Sequence, residues 1–366
     1  MRLSLSLPVA IRLDRALLTV AALFFLGFCF SAVFLGSGTF RMLSGLTGAF
    51  FLTYFLSVYR VRVWIPLVVA LIMLGITIVK ADSNFLASLF FILSLFSSLC
   101  LAILIRDHDL GWVFITIPLS LFSFFLLYLF AVLEFGPSEF NSVFKGYSRN
   151  GVGAVLLALL SGYVWYCYEK NSKPSILLGA LALLLMFPLY GRANIVGGAV
   201  LFALVLYLNF GLAGSFFLGL LSVLLLTLGF DPLLNYISGS TNFSAGFESP
   251  RSEMLREYAD QTNVSSLFLG TELSAVDSIV DHGGNTHNAF LRAHSYFGLV
   301  SIGIILALSV AVLLMLSNGL FVLSVISAVF IARASLDIIY LGNIFDYLLL
   351  GPFVYFYRPD RSTVVL

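Results

Sequence analysis

Three side chains in this sequence occupy positions where their chemistry could matter: Arg192, Arg251 and His287. Arg192 follows Tyr190-Gly191 at the end of one apolar run and precedes Ala193-Asn194-Ile195 at the start of the next. Almost no loop separates the two runs, so this guanidinium sits at a membrane surface or slightly inside it. An arginine at mid-bilayer costs about 2.5–3.5 kcal/mol on insertion scales. Such a residue can snorkel to the headgroups, or it can clamp a lipid phosphate through paired hydrogen bonds. Arg251 is the second residue of a helix opened by Ser249-Pro250, serine as cap and proline at the first helical position. A helix start offers unpaired N–H groups and partial positive charge, so Arg251 reads either as part of an anion site or as a solvated surface charge. His287 precedes an apolar run. A neutral imidazole can take a proton from a hydroxyl near pH 7, and it can equally be a satisfied polar residue at a helix end.

Further charges are compatible with more than one role. Arg333 and Asp337 lie four apart in one predicted span, share a helix face and can pair. Asp346 follows in the next span. Intramembrane charges suggest function, but a structural ion pair fits as well. Glu134, Glu139, Lys145 and Arg149 form a second polar stretch that could line the same cavity. His282, His287 and His294 match no strong zinc spacing, and no metal is expected. Cys29, Cys100 and Cys167 sit in different apolar runs and read as small buried hydrophobes.

The elements that must hold these groups follow from composition. The chain of 366 residues is 60% hydrophobic and 10% charged, with a mean hydropathy of +1.06. Soluble domains carry about 25% charged residues. The apolar runs are continuous rather than alternating, which selects helices over an outer-membrane barrel. The expected fold is all-α: a polytopic bundle of about twelve transmembrane helices with one large polar loop containing short helices. The predicted spans are 16–36, 42–59, 63–79, 85–105, 111–133, 151–168, 175–190, 193–209, 212–230, 295–316, 319–340 and 341–357. The first is too long for a signal-peptide core and reads as a retained span. A net charge of +1 without a basic stripe gives no reason to expect nucleic acid.

Lysine and arginine in short loops set the orientation. With Arg2, Arg12 and Arg15 in the cytoplasm, counting crossings puts Arg60, Arg62, Arg106, Lys170, Lys173, Arg358 and Arg361 on the same side. Both termini then lie inside, while the loop 134–150 and the polar segment face outward. Three parts result: an N-terminal bundle of about nine spans at 1–230, a polar loop at 231–294, and C-terminal helices with a cytoplasmic tail at 295–366. Within the polar loop, 235–246 reads as irregular and 250–261 as an amphipathic helix with Met254, Leu255 and Tyr258 on one face. Residues 265–284 read as loop again, and 285–293 lead into the next span.

The order of these pieces resembles the O-antigen ligase and O-antigen polymerase superfamily. Tyr190-Gly191-Arg192-Ala193 is similar to that family's Ser-Arg-small motif between two spans. Ser249-Pro250-Arg251-Ser252-Glu253-Met254-Leu255 is similar to the Gly-Arg-x-x-x-Trp/Leu helix of its large periplasmic loop. His287-Asn288, nine residues and Gly298 fit the ligase pattern, which continues with Gly, Thr or Tyr where this chain has Ser301. Leu267-Phe268-Leu269-Gly270 looks like the family's Leu-Phe-Gly-x-Gly stretch, one glycine short. These marks fall within residues 149–301; the earlier spans match only as hydrophobic segments.

The resemblance implies a bacterial inner-membrane glycosyltransferase that uses an undecaprenyl-diphosphate-linked glycan as donor, with its active site on the periplasmic side. Arg192 and Arg251 would bind the diphosphate and His287 would act on the acceptor hydroxyl. Asn288 would hold the histidine or contact sugar, and Arg333 and Arg292 would be further substrate contacts. No cofactor or metal is implied, and the anomeric centre would invert. The acceptor would be a growing glycan in a polymerase, the preferred reading, or the lipid A core in a ligase. Partners would be the lipid bilayer, a flippase and a chain-length regulator. A solute or polysaccharide transporter is the alternative of a different class. It fits less well because the large loop falls after roughly the ninth span and no half-to-half similarity is visible.

Overall fold

The computed structural model describes residues 7–58, 64–80, 85–135, 137–189, 191–228 and 250–356. The loop expected at 235–246, the Ser249 cap, Tyr190, and Arg2, Arg60, Arg62, Arg358 and Arg361 lie outside them. The described residues form helices and no strands. The first five are α1 (Leu7–Leu35), α2 (Gly38–Val58), α3 (Trp64–Lys80), α4 (Phe85–Asp107) and α5 (Ile117–Ala131), the last entered through a π-helical turn at Trp112–Thr116. A short α6 (Pro137–Val143) precedes α7 (Arg149–Glu169), α8 (Ile176–Met186) and α9 (Arg192–Leu228). The polar segment holds α10 (Pro250–Gln261), α11 (Val264–Leu269), a 3-10 turn at Leu273–Ala275, and α12 (Asp277–Asp281). The chain closes with α13 (Ala289–Phe297), α14 (Leu299–Ser317), α15 (Phe321–Ala334) and α16 (Tyr347–Phe356).

Six helices among the described residues are long and apolar enough to cross a membrane: Arg15–Leu35, Phe85–Asp107, Trp112–Ala131, Arg149–Glu169, Arg192–Gly214 and Leu299–Ser317. The chain is thus a helical protein with the character of a multi-pass membrane protein. The runs expected at 175–190, 319–340 and 341–357 form shorter apolar helices, Ile176–Met186, Phe321–Ala334 and Tyr347–Phe356. The runs expected at 193–209 and 212–230 form one element, α9, broken at Gly211, whose φ of 70° lies in the left-handed region. The expected span 295–316 divides at Gly298, because that glycine takes a φ of 50°.

Helix α7 is the centre of the bundle. Its apolar window is 89% buried, against 11% for α14 at the periphery. Small residues explain this position: Gly151, Gly153, Ala154, Ala158, Ser161 and Gly162 let neighbouring backbones approach. Tyr340 donates its hydroxyl to the Ala154 carbonyl at 2.6 Å, tying the segment after α15 to α7. α7 packs against α5, α8, α9, α15 and α16.

Polar clusters mark the two ends of α7. At its C-terminal end Lys170 reaches Asp109 at 2.7 Å, Tyr166 donates to Asp109 at 3.0 Å, and Arg15 donates to the Asp109 carbonyl at 3.3 Å. Arg106 donates to the Val354 carbonyl nearby in the fold, at 3.0 Å. Three basic residues grouped together by the loop-charge argument therefore gather at one end of the bundle. The N-terminal end of α7 begins at Arg149-Asn150, and its 21 residues separate the clusters by about 30 Å, the thickness of a hydrocarbon core.

Candidate functional site

The site is built on the end of the bundle where α7 and α9 start and α15 stops. Asn194, one turn into α9, is fully buried and acts as the hub. Its Nδ2 donates to the Asn150 carbonyl at 2.8 Å and to the Asn150 side-chain oxygen at 3.0 Å. Its Oδ1 accepts from Arg333 Nε at 2.7 Å. Arg333 Nη2 donates to Asp337 Oδ2 at 2.8 Å, and Asn150 Nδ2 donates to the same oxygen at 3.1 Å. The buried guanidinium is thus matched by a carboxylate and the Asn194 amide, with Asn150 bridging those two partners, the condition under which burial of charge is tolerated. Gly191 is required beside this network, because a Cβ there would run into the amides of both Asn150 and Asn194.

The pairing of Arg333 with Asp337 was expected on one helix face. The contact forms, but α15 ends at Ala334 and Asp337 lies in the irregular stretch that follows. The helix stops because the chain turns to bury Tyr340 and to form a second polar knot at Asp346. The Asp346 carboxylate accepts from the N–H groups of Leu341, Gly342 and Asn343, at 2.6–3.0 Å. Asp346 therefore does not lie inside a span helix; it folds the turn that leads into α16.

Arg192 opens α9 and is half-buried. Arg251, half-buried at the second position of α10, is close enough to Asp337, Arg333 and Arg192 for all three charges to act on it. Burial lowers its proton affinity, Asp337 opposes that, and the two arginines add to it. His287 lies within reach of Arg251, Asp337 and His282. Burial, then the charge of Arg251, hold its pKa below the ordinary histidine value of 6.5. Both effects favour the neutral imidazole. Its backbone is strained at a φ of 45° and held by the side-chain oxygen of Asn285, which accepts the His287 N–H at 2.9 Å. The rings of His282 and His287 meet edge to face with centroids 6.2 Å apart.

The other two expected substrate contacts have local partners. Asn288 caps α13, its Oδ1 accepting from the N–H groups of Phe290 and Leu291 at 2.9 and 3.2 Å. Arg292 Nη2 donates to the Leu341 carbonyl at 3.3 Å, and its charge acts with Asp346 and Asp337. Glu139 lies in α6 and Arg149 begins α7, at the same end of the bundle. Among the described residues no three His, Cys, Asp or Glu side chains converge as a metal site would need.

The polar segment is more ordered than the loop expected at 265–284, which folds into α11, the 3-10 turn and α12. A small apolar core of Met254, Tyr258, Val276, Ile279 and Leu291 holds α10 and α12 to α13. Leu255 does not share the Met254 and Tyr258 face; it is exposed, because the next residue turns about 100° around a helix. Tyr258 and His294 share a hydrogen bond of 2.7 Å, and Lys80 donates to the Ser295 carbonyl at 2.6 Å. These contacts fix α10, and with it Arg251, relative to the bundle. Two glycines complete the seat: a side chain on Gly270 would strike the His294 and Ser295 carbonyls, and one on Gly298 would strike the Phe268 carbonyl. Both have positive φ, at 98° and 50°.

Asn150 and Asn194 were not singled out by sequence reasoning. The only signal was an amide at the start of each of two apolar runs, one beside Arg149 and one beside Arg192. No protein-family model, no curated protein and no solved structure is matched by this chain.

Proposed function

We propose that this chain is a membrane glycosyltransferase that moves a glycan from an undecaprenyl-diphosphate donor to an acceptor hydroxyl at the periplasmic face. The polymerase of an O-antigen or exopolysaccharide is the preferred form. The observation that carries the reading is the grouping of Arg192, Arg333 and Asp337 about Arg251, with His287 in the field of Arg251 and Asp337. These residues come from four separate stretches of sequence.

The grouping of guanidinium groups supports a phosphate ligand. Arg333 is held by Asp337 in the buried pair, and the charges of Arg192 and Arg333 both act on Arg251. A diphosphate would meet the guanidinium groups of Arg192 and Arg251, which suit phosphate oxygens through paired hydrogen bonds. In the reaction the acceptor oxygen attacks the anomeric carbon as the bond from that carbon to the diphosphate oxygen breaks. The arginines stabilise the charge that gathers on the departing undecaprenyl diphosphate. Neutral His287 takes the proton of the acceptor hydroxyl, and attack opposite the leaving group inverts the centre. Asn288 acts in this scheme by capping α13 and so fixing His287 next to it. Arg292 supports the segment that carries Asp337.

The finer topology belongs to the same proposal: about twelve spans, both termini cytoplasmic and a periplasmic catalytic loop in a bacterial inner membrane. A flippase and a chain-length regulator are the expected partners. The spacing from His287-Asn288 through nine residues to Gly298 favours a second reading as a ligase, with the lipid A core as acceptor.

The test is the glycan banding of a deletion strain complemented with wild type, Arg192→Ala, Arg251→Ala or His287→Ala. Single repeat units left on their acceptor support the polymerase. Polymer retained on undecaprenyl diphosphate, with the acceptor bare, supports the ligase. Three well-expressed variants that behave as wild type overturn the assignment and favour transport.

A further inference from the structure

Residues 262–271 carry no charge, although the flanking polar segment is the most charged part of the chain. Within this stretch α11 exposes Val264, Leu267 and Phe268, at 77%, 39% and 53%. Positions i, i+3 and i+4 lie on one side of a helix, so the three form a single apolar face. None of the residues of α11 is buried. At its start Asn263 and Ser266 form a reciprocal capping box.

The depth of this face is fixed by backbone contact. The Phe268 carbonyl lies directly against Gly298, the residue from which α14 starts. α11 packs on α13 and α14. α14 is the most apolar of the six membrane-length helices and the least buried, with Leu299, Leu306, Val310 and Leu313 exposed along it. α11 therefore lies beside the first residues of α14, where Leu299 is exposed.

We infer that α11 is an interfacial anchor that seats Val264, Leu267 and Phe268 in the bilayer at the boundary between headgroups and acyl chains. Short apolar faces without charge are held there by burial of apolar area, with polar ends left in the headgroup zone. The anchor would set the height of the polar segment above the membrane, since α11 is joined to α13 through Gly270. The inference rests on the membrane character of α14 and not on the transfer reaction.

The test uses the full chain in phosphatidylcholine–phosphatidylglycerol liposomes, after co-flotation has established insertion. An environment-sensitive dye is attached at Phe268→Cys or Val264→Cys. The native cysteines Cys29, Cys100 and Cys167 are buried, so the unsubstituted chain is the labelling blank. A dye at exposed Glu253→Cys reports the aqueous side of α10. The expected result at 264 and 268 is blue-shifted emission, quenching by nitroxide-bearing acyl chains, and iodide quenching several-fold weaker than at 253. Water-like emission with iodide access equal to that at 253 overturns the inference. Protection from iodide without quenching by lipid nitroxide also overturns it and indicates a second copy of the chain. Two positions keep the test decisive if one variant fails to fold.

Discussion

Arg333 and Asp337 form a buried ion pair, Nη2 to Oδ2 at 2.8 Å, across the end of a helix that stops between them. Both side chains are nearly inaccessible, and Asn194 and Asn150 complete the shell. The pair thus joins the start of α7, the start of α9 and the end of α15 at the site. Removing one partner strands a buried charge. Asp337→Leu should lower stability by about 3–5 kcal/mol, and Arg333→Met with Asp337→Leu should recover much of that loss. Thermal unfolding in detergent measures both. The double variant should fold and yet lack turnover; a folded, fully active double variant would show that the pair serves packing alone.

His287→Ala should reduce transfer by about 10²–10⁴-fold, the usual range for a lost proton acceptor, with membrane insertion unchanged. Turnover with purified lipid-linked donor, compared with donor binding, separates the two effects. Equal losses in binding and turnover would argue for a contact role instead.

The depressed pKa of His287 sets a pH dependence. The neutral form is the active one, so activity rises with pH through the folded-state value, which lies below 6.5. The acidic limb of the rate profile should therefore fall below 6.5. Arg251→Gln removes a positive charge that lowers this pKa, so the residual activity should show its limb shifted upward, toward 6.5. A limb that stays in place removes Arg251 from the surroundings of His287. The same linkage acts on stability. The unfolded chain protonates first, so stability drops as pH falls from 6.5 to the lower folded value and levels off below it.

Arg192→Lys and Arg251→Lys keep the charge and lose the planar fork. Each should retain more activity than the alanine variant, whose expected loss is about 10²–10³-fold for one electrostatic donor. Single-turnover rates with saturating donor provide the comparison, and lysine variants no better than alanine would point to bidentate geometry rather than charge.

Gly270→Ala and Gly298→Ala place a Cβ against backbone carbonyls at positive φ. Each should cost about 1–3 kcal/mol through overpacking and backbone strain. Limited proteolysis of the 250–294 segment should speed up in both. Unchanged protection would mean that α11 is held by other contacts.

Much of the helical framework was legible because its cause is local. A continuous apolar run must satisfy its own backbone hydrogen bonds in lipid, so composition alone selects helices. The helix at 250–261 was legible for a similar reason, since Pro250 starts it and the spacing of Met254 and Tyr258 buries one face. The interruptions were less visible. α15 stops at Ala334 although the expected span ran on to 340, because the turn is held by Asp346 and Tyr340 later in the chain. The order within 265–284 was hidden too, since its short helices depend on a small core shared with Leu291 rather than on their own periodicity.

The sequence by itself determined that this is a helical chain of membrane character, and it marked Arg192, Arg251, His287 and Arg333 as the side chains to watch. Hydropathy and the cost of burying charge act on each residue where it stands, so they can be read one position at a time. Only the tertiary structure decided that Arg251 comes within the charge range of Arg192, Arg333 and His287, that Asn194 and Asp337 hold Arg333 in place, and that Asn288 caps a helix. Those outcomes depend on distances between segments as remote as residues 150 and 337. Such distances are set by the packing of small residues on α7, by the close seating of two amides at Gly191 and by close backbone approach at Gly270 and Gly298, which no local pattern encodes.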